Sequence, residues 1–363
     1  MTKKPTIRDV AALAGVSPST VSRVVTGQAD VYMKPTTRSR VLQAIEELNY
    51  TPTRSAQRMR RKRCGIIGVL VPDISNPYFS LLARGVESIA FEKDYSTLIC
   101  DSNHSEHRES RYLDLLVGEQ VDGVVFVPVG VPDWPRINRM LDQGTRVVVA
   151  DRCVEGLLGV EAANWQGSYS LTQHVLAQGH HRIAYIAGPP AVRTTQERVR
   201  GFEDAMAAVS CEPVAIRYGE YTFDSGHQLA MDIIKRDSVD ALMAGDDLVA
   251  LGAIRAAQAN ALHVPDDLSV TGFDAVPLLS IIHPELTSVR IPVFEIGQES
   301  MSMLARHIGA PELKEDRRIL EVQLIPGASC RARLRNQENH CSPLLEDSQQ
   351  GGDRRAQTSG STK

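Results

Sequence analysis

The sequence predicts two architectures in one chain of 363 residues: an all-α helix-turn-helix head, then an α/β domain of two lobes with parallel sheets. Two short amphipathic helical patterns around a tight turn, in residues 6–27, indicate the head. Short apolar, β-branched runs that alternate with helical patterns of roughly 12 to 17 residues indicate the α/β domain. Charge divides the chain in the same way. Residues 1–63 hold 13 basic and 4 acidic residues, a net charge of +9, and the other 300 residues hold 27 basic and 40 acidic residues, a net charge of −13.

The first helix of the head is predicted to begin after Thr6. This residue can cap the helix N-terminus, and Asp9, three residues later, completes a capping box. Apolar side chains then recur at the spacing of one helix face from Ile7 to Ala14. Gly15 follows, where a helix end requires a residue with free access to positive φ.

The second helix is predicted to start at Pro18, with Ser17 as its N-cap. Its valines, Val21, Val24 and Val25, form an apolar face. We expect Pro18, Ser19, Ser22 and Arg23 to be exposed near its N-terminal half. A helix-turn-helix protein reads the DNA major groove with that part of its second helix. Any small αα-hairpin would show the same pattern, but the basic head favours a polyanionic partner.

A third helix is predicted over residues 35–50, with Val41, Leu42, Ile45 and Leu48 on one face, which completes a head of residues 1–50. Residues 51–63 follow, and five of the six residues from 58 to 63 are cationic. This stretch is either a solvated linker or a short hinge helix that begins at Pro52. Such a helix is too short and too charged to be stable alone, so we expect it to be disordered in the free protein and helical on DNA.

From residue 64 onward, seven short runs read as strands: CGIIGVLVP, YSTLICDS, VDGVVFVPV, TRVVVADR, HRIAYIAG, VDALMAGDD and DLSVTGFD. Polar and aromatic side chains follow several of these runs. Ligands of open α/β sheets bind just beyond the carboxyl ends of the strands, so we expect these side chains to converge on one cleft. Carboxylates, amides and aromatic rings suit a small polyhydroxylated ligand. For any single Asp, capping of the next helix is the alternative. The residues are Asp73, Asn76, Tyr78, Phe79, Asp101, Asp151, Arg152, Asp246, Asp247 and Asp274.

Several protein classes lack support in the sequence. No run of about 18 apolar residues predicts a membrane span, and the N-terminus has no apolar signal region, so a cytoplasmic protein is expected. The six cysteines are scattered, which is typical of buried thiols. No nucleotide-binding or nucleophile motif predicts a cofactor or an enzyme. His104 and His107 lack a ligand set for a metal and are predicted to decorate a solvated helix start.

Seven motifs together resemble the LacI/GalR family of transcription regulators, over about residues 5–335. They are TIRDVAALAGVSPSTVSRVV, PTRSAQRM, GVLVPDISNPYF, VDGVVF, ADR, LGAIRAA and VTGFD. The resemblance implies a homodimer on a near-palindromic double-stranded operator, and an effector and dimerisation domain over residues 64–335, similar to periplasmic sugar-binding proteins. Its N-lobe would comprise about 64–163 and 291–321, and its C-lobe about 164–290 and 322–335. Residues 336–363 lack a leucine heptad and are expected to be a disordered tail.

The resemblance also assigns roles to residues of the head and hinge. It places Pro18, Ser19 and Arg23 at base-reading positions of the recognition helix, and Ser17, Thr20 and Ser22 at phosphate or cap positions. Thr6 and Arg54 complete the expected DNA-binding set. Ala56 and Met59 match the hinge face that wedges into the minor groove, where the family usually has Leu in place of Met59. The loop from residue 27 to residue 38 runs about two residues longer than is usual in the family.

In the cleft, the resemblance assigns ligand contacts to both lobes. Asp151 and Arg152 match a pair that binds sugar hydroxyls, and Asp246 replaces the usual Asn. The favoured function is an effector-responsive repressor that is allosterically controlled by a sugar or sugar derivative. The alternative is a sugar-binding receptor without DNA function, against which the basic head argues. The expected effector-binding residues are Asn76, Tyr78, Phe79, Asp151, Arg152, Arg198, Tyr221, Asp246 and Asp274.

Overall fold

The head consists of three helices in the computed structural model, which describes residues 5–25, 33–50, 64–277, 281–308 and 317–332. They are α1 (Ile7–Ala14), α2 (Pro18–Val25) and α3 (Pro35–Glu47). Gly15 ends α1 with φ 62° in the left-handed region, as predicted. Ser17 Oγ accepts a hydrogen bond from the Thr20 backbone N–H at 3.2 Å, which confirms it as the cap of α2. The head's core is centred on fully buried valines, one from each helix: Val10, Val21 and Val41.

Two predictions for the third helix are wrong. It ends at Glu47 rather than at Tyr50, because Asn49 takes φ 51° and reverses the chain. Leu42 is 45% exposed instead of buried. Successive helical residues point about 100° apart, so the face that packs Val41 and Ala44 turns Leu42 to solvent. The predictions for Arg54, Ala56, Met59, the hinge of residues 51–63, the length of the loop before α3 and the tail of residues 336–363 lie outside the described residues.

The first lobe contains a sheet of six parallel strands in the order β2-β1-β3-β4-β5-β11. Helices α4 (Pro77–Glu92), α5 (Glu106–Gly118), α6 (Trp134–Asp142) and α11 (Val293–His307) accompany it. The strands are β1 (Ile66–Val71), β2 (Ser96–Asp101), β3 (Gly123–Phe126), β4 (Arg146–Ala150), β5 (Leu158–Ala162) and β11 (Arg317–Leu320).

The second lobe contains four parallel strands in the order β7-β6-β8-β9. Helices α7 (Asn164–Ala177), α8 (Arg193–Ala208), α9 (Phe223–Arg236) and α10 (Asp247–Ala259) accompany it. The strands are β6 (Ile183–Ala187), β7 (Ala215–Tyr218), β8 (Ala241–Ala244) and β9 (Ser269–Thr271). An antiparallel pair, β10 (Ser288–Arg290) with β12 (Gln323–Ile325), joins this lobe through a bridge from Thr271 to Thr287.

The chain passes between the two lobes three times: between β5 and α7, between β10 and α11, and between β11 and β12. These sheet memberships support the proposed lobe boundaries at residues 163, 290 and 321. All seven strands predicted from apolar runs are present, and both sheets are parallel, so the predicted fold class is confirmed. Among the described helices, none has the length and apolar character that a membrane span requires.

Glycines let paired helices approach closely. A Cβ atom on Gly85 of α4 would overlap the Phe294 carbonyl of α11, and one on Gly201 of α8 would overlap the Trp165 carbonyl of α7. A Cβ atom on Gly252 of α10 would overlap the Phe223 carbonyl of α9. Backbone lies against backbone at each crossing, so the sequence has no room there for any larger residue.

Candidate functional site

A cavity of about 300 Å³ lies between the lobes, where the strands of both sheets end. All nine side chains that the sequence analysis assigned to an effector line it. Thr194 also lines it and was not predicted. Thr194 precedes Arg198 by four residues on α8, so their shared helix face was the available signal. The lining residues are Asn76, Tyr78, Phe79, Asp151, Arg152, Thr194, Arg198, Tyr221, Asp246 and Asp274.

The first lobe contributes an aromatic pair and a carboxylate that is held in place. Asn76 caps α4, with its side-chain oxygen accepting from the Tyr78 N–H at 2.9 Å. The Tyr78 hydroxyl donates to Asp151 Oδ1 at 2.5 Å, and the Phe79 ring packs edge-on against Tyr78. Asp151 has φ 66°, an unusual backbone conformation for a non-glycine residue that is found at binding sites.

Arg152 places a buried guanidinium beside this carboxylate. Its Nη1 donates to the Pro128 carbonyl at 2.8 Å, and its Nε lies 3.6 Å from Asp151 Oδ2. The guanidinium carbon lies 5.7 Å from the centre of the Phe79 ring. Within the described part of the chain, Nε has no hydrogen-bond partner. A buried donor of this kind can bind a ligand oxygen.

Arg198 lies at the centre of the cavity wall that the second lobe contributes. Its Nε donates to Asn164 Oδ1 at 2.8 Å and its Nη1 to the Gly245 carbonyl at 2.6 Å. Its Nη2 lies 3.1 Å from Asp274 Oδ1, an ion pair whose geometry leaves Oδ1 without a hydrogen bond from any described residue. The Phe273 ring stacks on the guanidinium at 4.1 Å. Arg198 therefore joins the start of α7 to the ends of β8 and β9.

Sequence reasoning missed Asn164 and Phe273 in this network. Phe273 stands inside the GFD motif, directly before Asp274, so its position was a signal. Nothing local marks Asn164, which opens α7 just after the chain changes lobes. Tyr221 closes the wall from the far side, with its hydroxyl in a hydrogen bond of 2.7 Å with Thr195.

The carboxylates of this wall have raised pKa values. Burial raises the pKa of Asp246 to about 6, although its Oδ1 accepts the Val249 N–H at 2.7 Å as the cap of α10. Burial also raises the pKa of Asp274 well above its ordinary value, against the opposing effect of Arg198. Asp246 thus confirms the capping alternative and lines the cavity as well.

Three predicted side chains do not reach the cleft. Asp73 accepts from the Ser75 N–H and Asp101 from the Asn103 N–H, both at 2.8 Å, so each closes its own turn. Asp247 is buried behind the cavity, where it accepts from the Ser288 hydroxyl at 2.7 Å. Burial raises its pKa to about 7. Local backbone donors capture the short side chains of Asp73 and Asp101, whereas Asp247 is held by partners that are distant in sequence.

On the head, the predicted DNA-contacting residues of α2 run from its first residue, Pro18, to Arg23 in its last turn. Pro18, Ser19 and Arg23 are exposed, whereas Ser22, which was expected to be exposed, is half-buried. The hydroxyl groups of Ser17 and Thr20 form a hydrogen bond of 2.9 Å with each other. Thr6 lies at the start of α1, where its N–H donates to Asp9 Oδ2 at 2.7 Å.

The buried acids make the stability of the fold depend on pH. Between their ordinary and raised pKa values, Asp246 and Asp247 keep protons in the folded chain that the unfolded chain releases. The folded state then binds more protons, so the free energy of unfolding should fall by about 2 kcal/mol or more from about pH 5 to about pH 7. Urea denaturation at the two pH values measures this fall.

Two variants separate this effect from general titration. Asp246→Asn should reduce the fall in the free energy of unfolding, because it removes one of the buried acids with a raised pKa. Asp204→Asn, at an exposed carboxylate, should leave it unchanged. A protein more stable at pH 7 than at pH 5 would contradict the interpretation.

Comparisons with known proteins give consistent matches. Residues 6–53 match the lacI family of bacterial regulatory proteins, and residues 172–330 match the periplasmic binding protein-like domain. The ribose operon repressor of Halalkalibacterium halodurans is 34% identical over 324 residues, 88% of this chain and 95% of that protein. The transcriptional repressor CytR of Escherichia coli is 31% identical over 331 residues, 90% of this chain and 96% of that protein.

Solved structures match as well. A lac repressor dimer bound to operator and the anti-inducer ONPF superposes with a TM-score of 0.80 at 27% identity, over 91% of this chain and 100% of that chain. A LacI family regulator from Enterococcus faecium with bound ribose superposes with a TM-score of 0.69 at 27% identity, over 74% of this chain and 100% of that chain.

Proposed function

The chain belongs to the lacI family of bacterial regulatory proteins, and from this premise we propose that its homodimer binds a near-palindromic operator under the control of a neutral sugar. The chain is a DNA-binding transcriptional regulator with a family-type helix-turn-helix head. Its relatives are named as regulators rather than as enzymes. The observation that carries the proposed ligand is the set of carboxylates, guanidinium groups and aromatic rings in one interlobe cavity.

Charge in the cavity favours a neutral ligand over an anionic one. Both guanidinium groups already face a carboxylate, Arg152 with Asp151 and Arg198 with Asp274. Asp246 adds a carboxylate without a matching cation among the residues that line the cavity. A sugar acid or sugar phosphate would bring an anion into a buried site that already holds three carboxyl groups and two guanidinium groups. Neutral hydroxyl groups can donate to the carboxylates instead.

Two of the matched proteins point to a pentose. One relative is named for the ribose operon, and one matching structure holds ribose. The rings of Phe79 and Tyr221 supply apolar faces for a sugar ring. D-ribose and similar pentoses are therefore the proposed effectors.

Binding at this position provides a route to the DNA. A ligand that contacts both lobes favours the closed arrangement by its differential affinity for it. Closure would shift the first lobes of the two subunits, and with them the spacing of the segments that lead to the heads. A tenfold change in operator affinity needs about 1.4 kcal/mol of coupling, which lies within the usual allosteric range.

One experiment tests this function. Fluorescence anisotropy of the chain's own upstream DNA is measured with and without pentoses, hexoses and sugar acids, and calorimetry ranks their affinities. We expect specific DNA binding that a pentose changes and a sugar acid does not. Sugar binding without DNA binding would support the alternative of a receptor. Binding of a purine or an amino acid with no sugar signal would refute the proposed cleft chemistry.

The homodimer has its own test. The lac repressor match is a dimer on its operator, and a symmetric operator presents two half-sites to two heads. Sedimentation equilibrium should give a mass near twice that of one chain of 39.8 kDa. A monomer at operator-binding concentrations would contradict the proposed dimer.

Arg23→Ala should weaken binding to the operator in a way that depends on one base position. Arg23 is exposed on α2 in the part of a recognition helix that meets the major groove. A bidentate contact from Arg23 to guanine would cost about 1–3 kcal/mol when lost, at one symmetric position of the operator. Binding to a library of single-base operator variants measures the loss. Arg40→Ala, at an exposed arginine of α3, is the control. If Arg23→Ala instead lost the same affinity for every sequence, Arg23 would be a phosphate contact.

A further inference from the structure

A buried carboxylate lies behind the first lobe's wall of the cavity. Glu109, on α5, is 3% exposed, and its Oε2 accepts the Val129 N–H at 2.7 Å. Val129 belongs to the segment between β3 and α6, at the carboxyl end of the sheet. Glu109 does not line the cavity itself. It therefore contacts no ligand directly, and any role that it has in binding passes through another residue.

That residue is Arg152, and one peptide unit joins it to Glu109. The Pro128 carbonyl accepts from Arg152 Nη1 at 2.8 Å, and the next N–H in the chain is that of Val129. In a trans peptide the C=O of one residue and the N–H of the next lie in one plane and point in opposite directions. A carboxylate that fixes the N–H therefore aims the C=O. The guanidinium at the other end polarises the same unit in the same sense.

We propose that Glu109 is a positioning residue for the effector, which orients the Arg152 guanidinium through the Pro128–Val129 peptide unit. This inference rests on the proposed function of the cleft. Arg152 has one hydrogen bond to hold its guanidinium, at Nη1, and its Nε has no hydrogen-bond partner in the described part of the chain. Among the described residues, the peptide unit is the hydrogen-bonded support of the guanidinium, beside the ion pair with Asp151 and the contact with the Phe79 ring. A ligand oxygen would bind at Nε.

Charges on three elements surround Glu109. Glu106 precedes it on its own helix, Asp133 caps α6, and Arg152 follows β4. Burial, reinforced by Glu106 and Asp133, raises the pKa of Glu109 to about 7, against the opposing effects of the Val129 hydrogen bond and Arg152. A charged carboxylate holds an N–H more firmly than a neutral carboxyl group does. D-ribose affinity should therefore increase as pH rises through about 7.

A test must separate positioning from simple structural support. Glu109→Ala removes the acceptor and should weaken the binding of D-ribose about tenfold, as measured by calorimetry. Its affinity for the operator in the absence of sugar should be unchanged. Glu109→Gln keeps an acceptor oxygen and should bind D-ribose within about threefold of wild type at pH 8, but with a smaller change of affinity between pH 6.5 and pH 8.5. Glu106→Gln, an exposed neighbour one turn earlier, should keep wild-type D-ribose affinity at pH 8. It should shift the pH profile only slightly to lower pH, because it removes one like charge near Glu109. A folded Glu109→Ala protein with wild-type affinity and pH profile would overturn the proposal.

A ligand-free measurement keeps this inference distinct from the proposed function. In wild type, the nuclear magnetic resonance signals of the Val129 amide and of Arg152 Nε should titrate together near pH 7. Neither signal should do so in Glu109→Gln. If the wild-type protein bound no sugar, the proposed effector would be wrong. The joint titration would still show whether Glu109 is coupled to Arg152 through the peptide unit. Titration of Val129 without Arg152 would overturn it.

Discussion

Arg198→Met will abolish the response to the effector and lower the stability of the second lobe by about 3–5 kcal/mol. Arg198 is buried and joins Asn164, Gly245 and Asp274 through its three nitrogens. Loss of one partner of a buried ion pair leaves the other as an uncompensated charge. Asp274 would take up a proton, so the cavity would lose a cation and an ionised acceptor together. Urea denaturation measures the stability, and calorimetry with D-ribose measures the binding.

Arg200→Met is the matched control for this variant. Arg200 lies two residues further along α8, is largely exposed, and pairs with Asp204 at 3.6 Å. An exposed pair of this kind contributes about 1 kcal/mol or less, so both properties should stay near wild type. Arg198→Lys extends the test to a protein that keeps the charge. It should fold and still bind D-ribose poorly, because a lysine cannot donate along three directions in one plane. Wild-type sugar affinity in Arg198→Lys would contradict the assigned geometry.

Gly252→Ala will destabilise the second lobe by about 3 kcal/mol, the upper part of the range for overpacking. Its added methyl group would overlap the Phe223 carbonyl and the His227 nitrogen of α9. Both are backbone atoms, so no side-chain rotation relieves the overlap, and the two helices must separate. Alanine favours an isolated helix over glycine by about 1 kcal/mol, so local preference acts in the opposite direction and is outweighed. Thermal unfolding and urea denaturation measure the result.

Gly118→Ala provides the opposite expectation with the same chemical change. Gly118 is the last residue of α5, and an added Cβ atom there would have no atom within 4 Å. We expect it to be neutral or to raise stability by up to about 1 kcal/mol. If Gly252→Ala lowered stability no more than Gly118→Ala does, the close packing described for α9 and α10 would be contradicted.

Apolar runs predicted most of the central strands, but they missed the buried strand β5 and the edge strands β7 and β11. A central strand such as β3 or β8 is covered on both faces, so every residue is apolar and the run is visible in the sequence. The strand β7 lies at an edge, and its residues range from buried to exposed. The exposed strand β11 reads RRIL and was not predicted. Its place is set by pairing with β5, more than 150 residues earlier in the chain.

The candidate site was predictable for a topological reason. Parallel strands end at the same edge of a sheet, so side chains that follow successive strands converge without any knowledge of the loops. Asn76, Asp151 and Asp274 reach the cavity on this basis. Asp73 and Asp101 follow strands as well, yet nearby backbone N–H groups hold them in their own turns. The choice between a turn and a cleft depends on a few ångströms of loop path, which the residue type does not encode.

The sequence alone determined the family, the helix-turn-helix head, the parallel α/β class and nearly the whole lining of the cavity. The head and the fold class follow from local capping, periodicity and the order of strands, which are properties of neighbouring residues. The family and the lining residues Arg198 and Tyr221 follow from the resemblance of the motifs. Only the tertiary structure decided which partners meet across the chain. Arg198 meets Asn164 and Asp274, and Glu109 reaches Arg152 through a peptide unit that lies between them. Such contacts depend on packing between elements far apart in sequence, where a shift of one ångström makes or breaks a hydrogen bond.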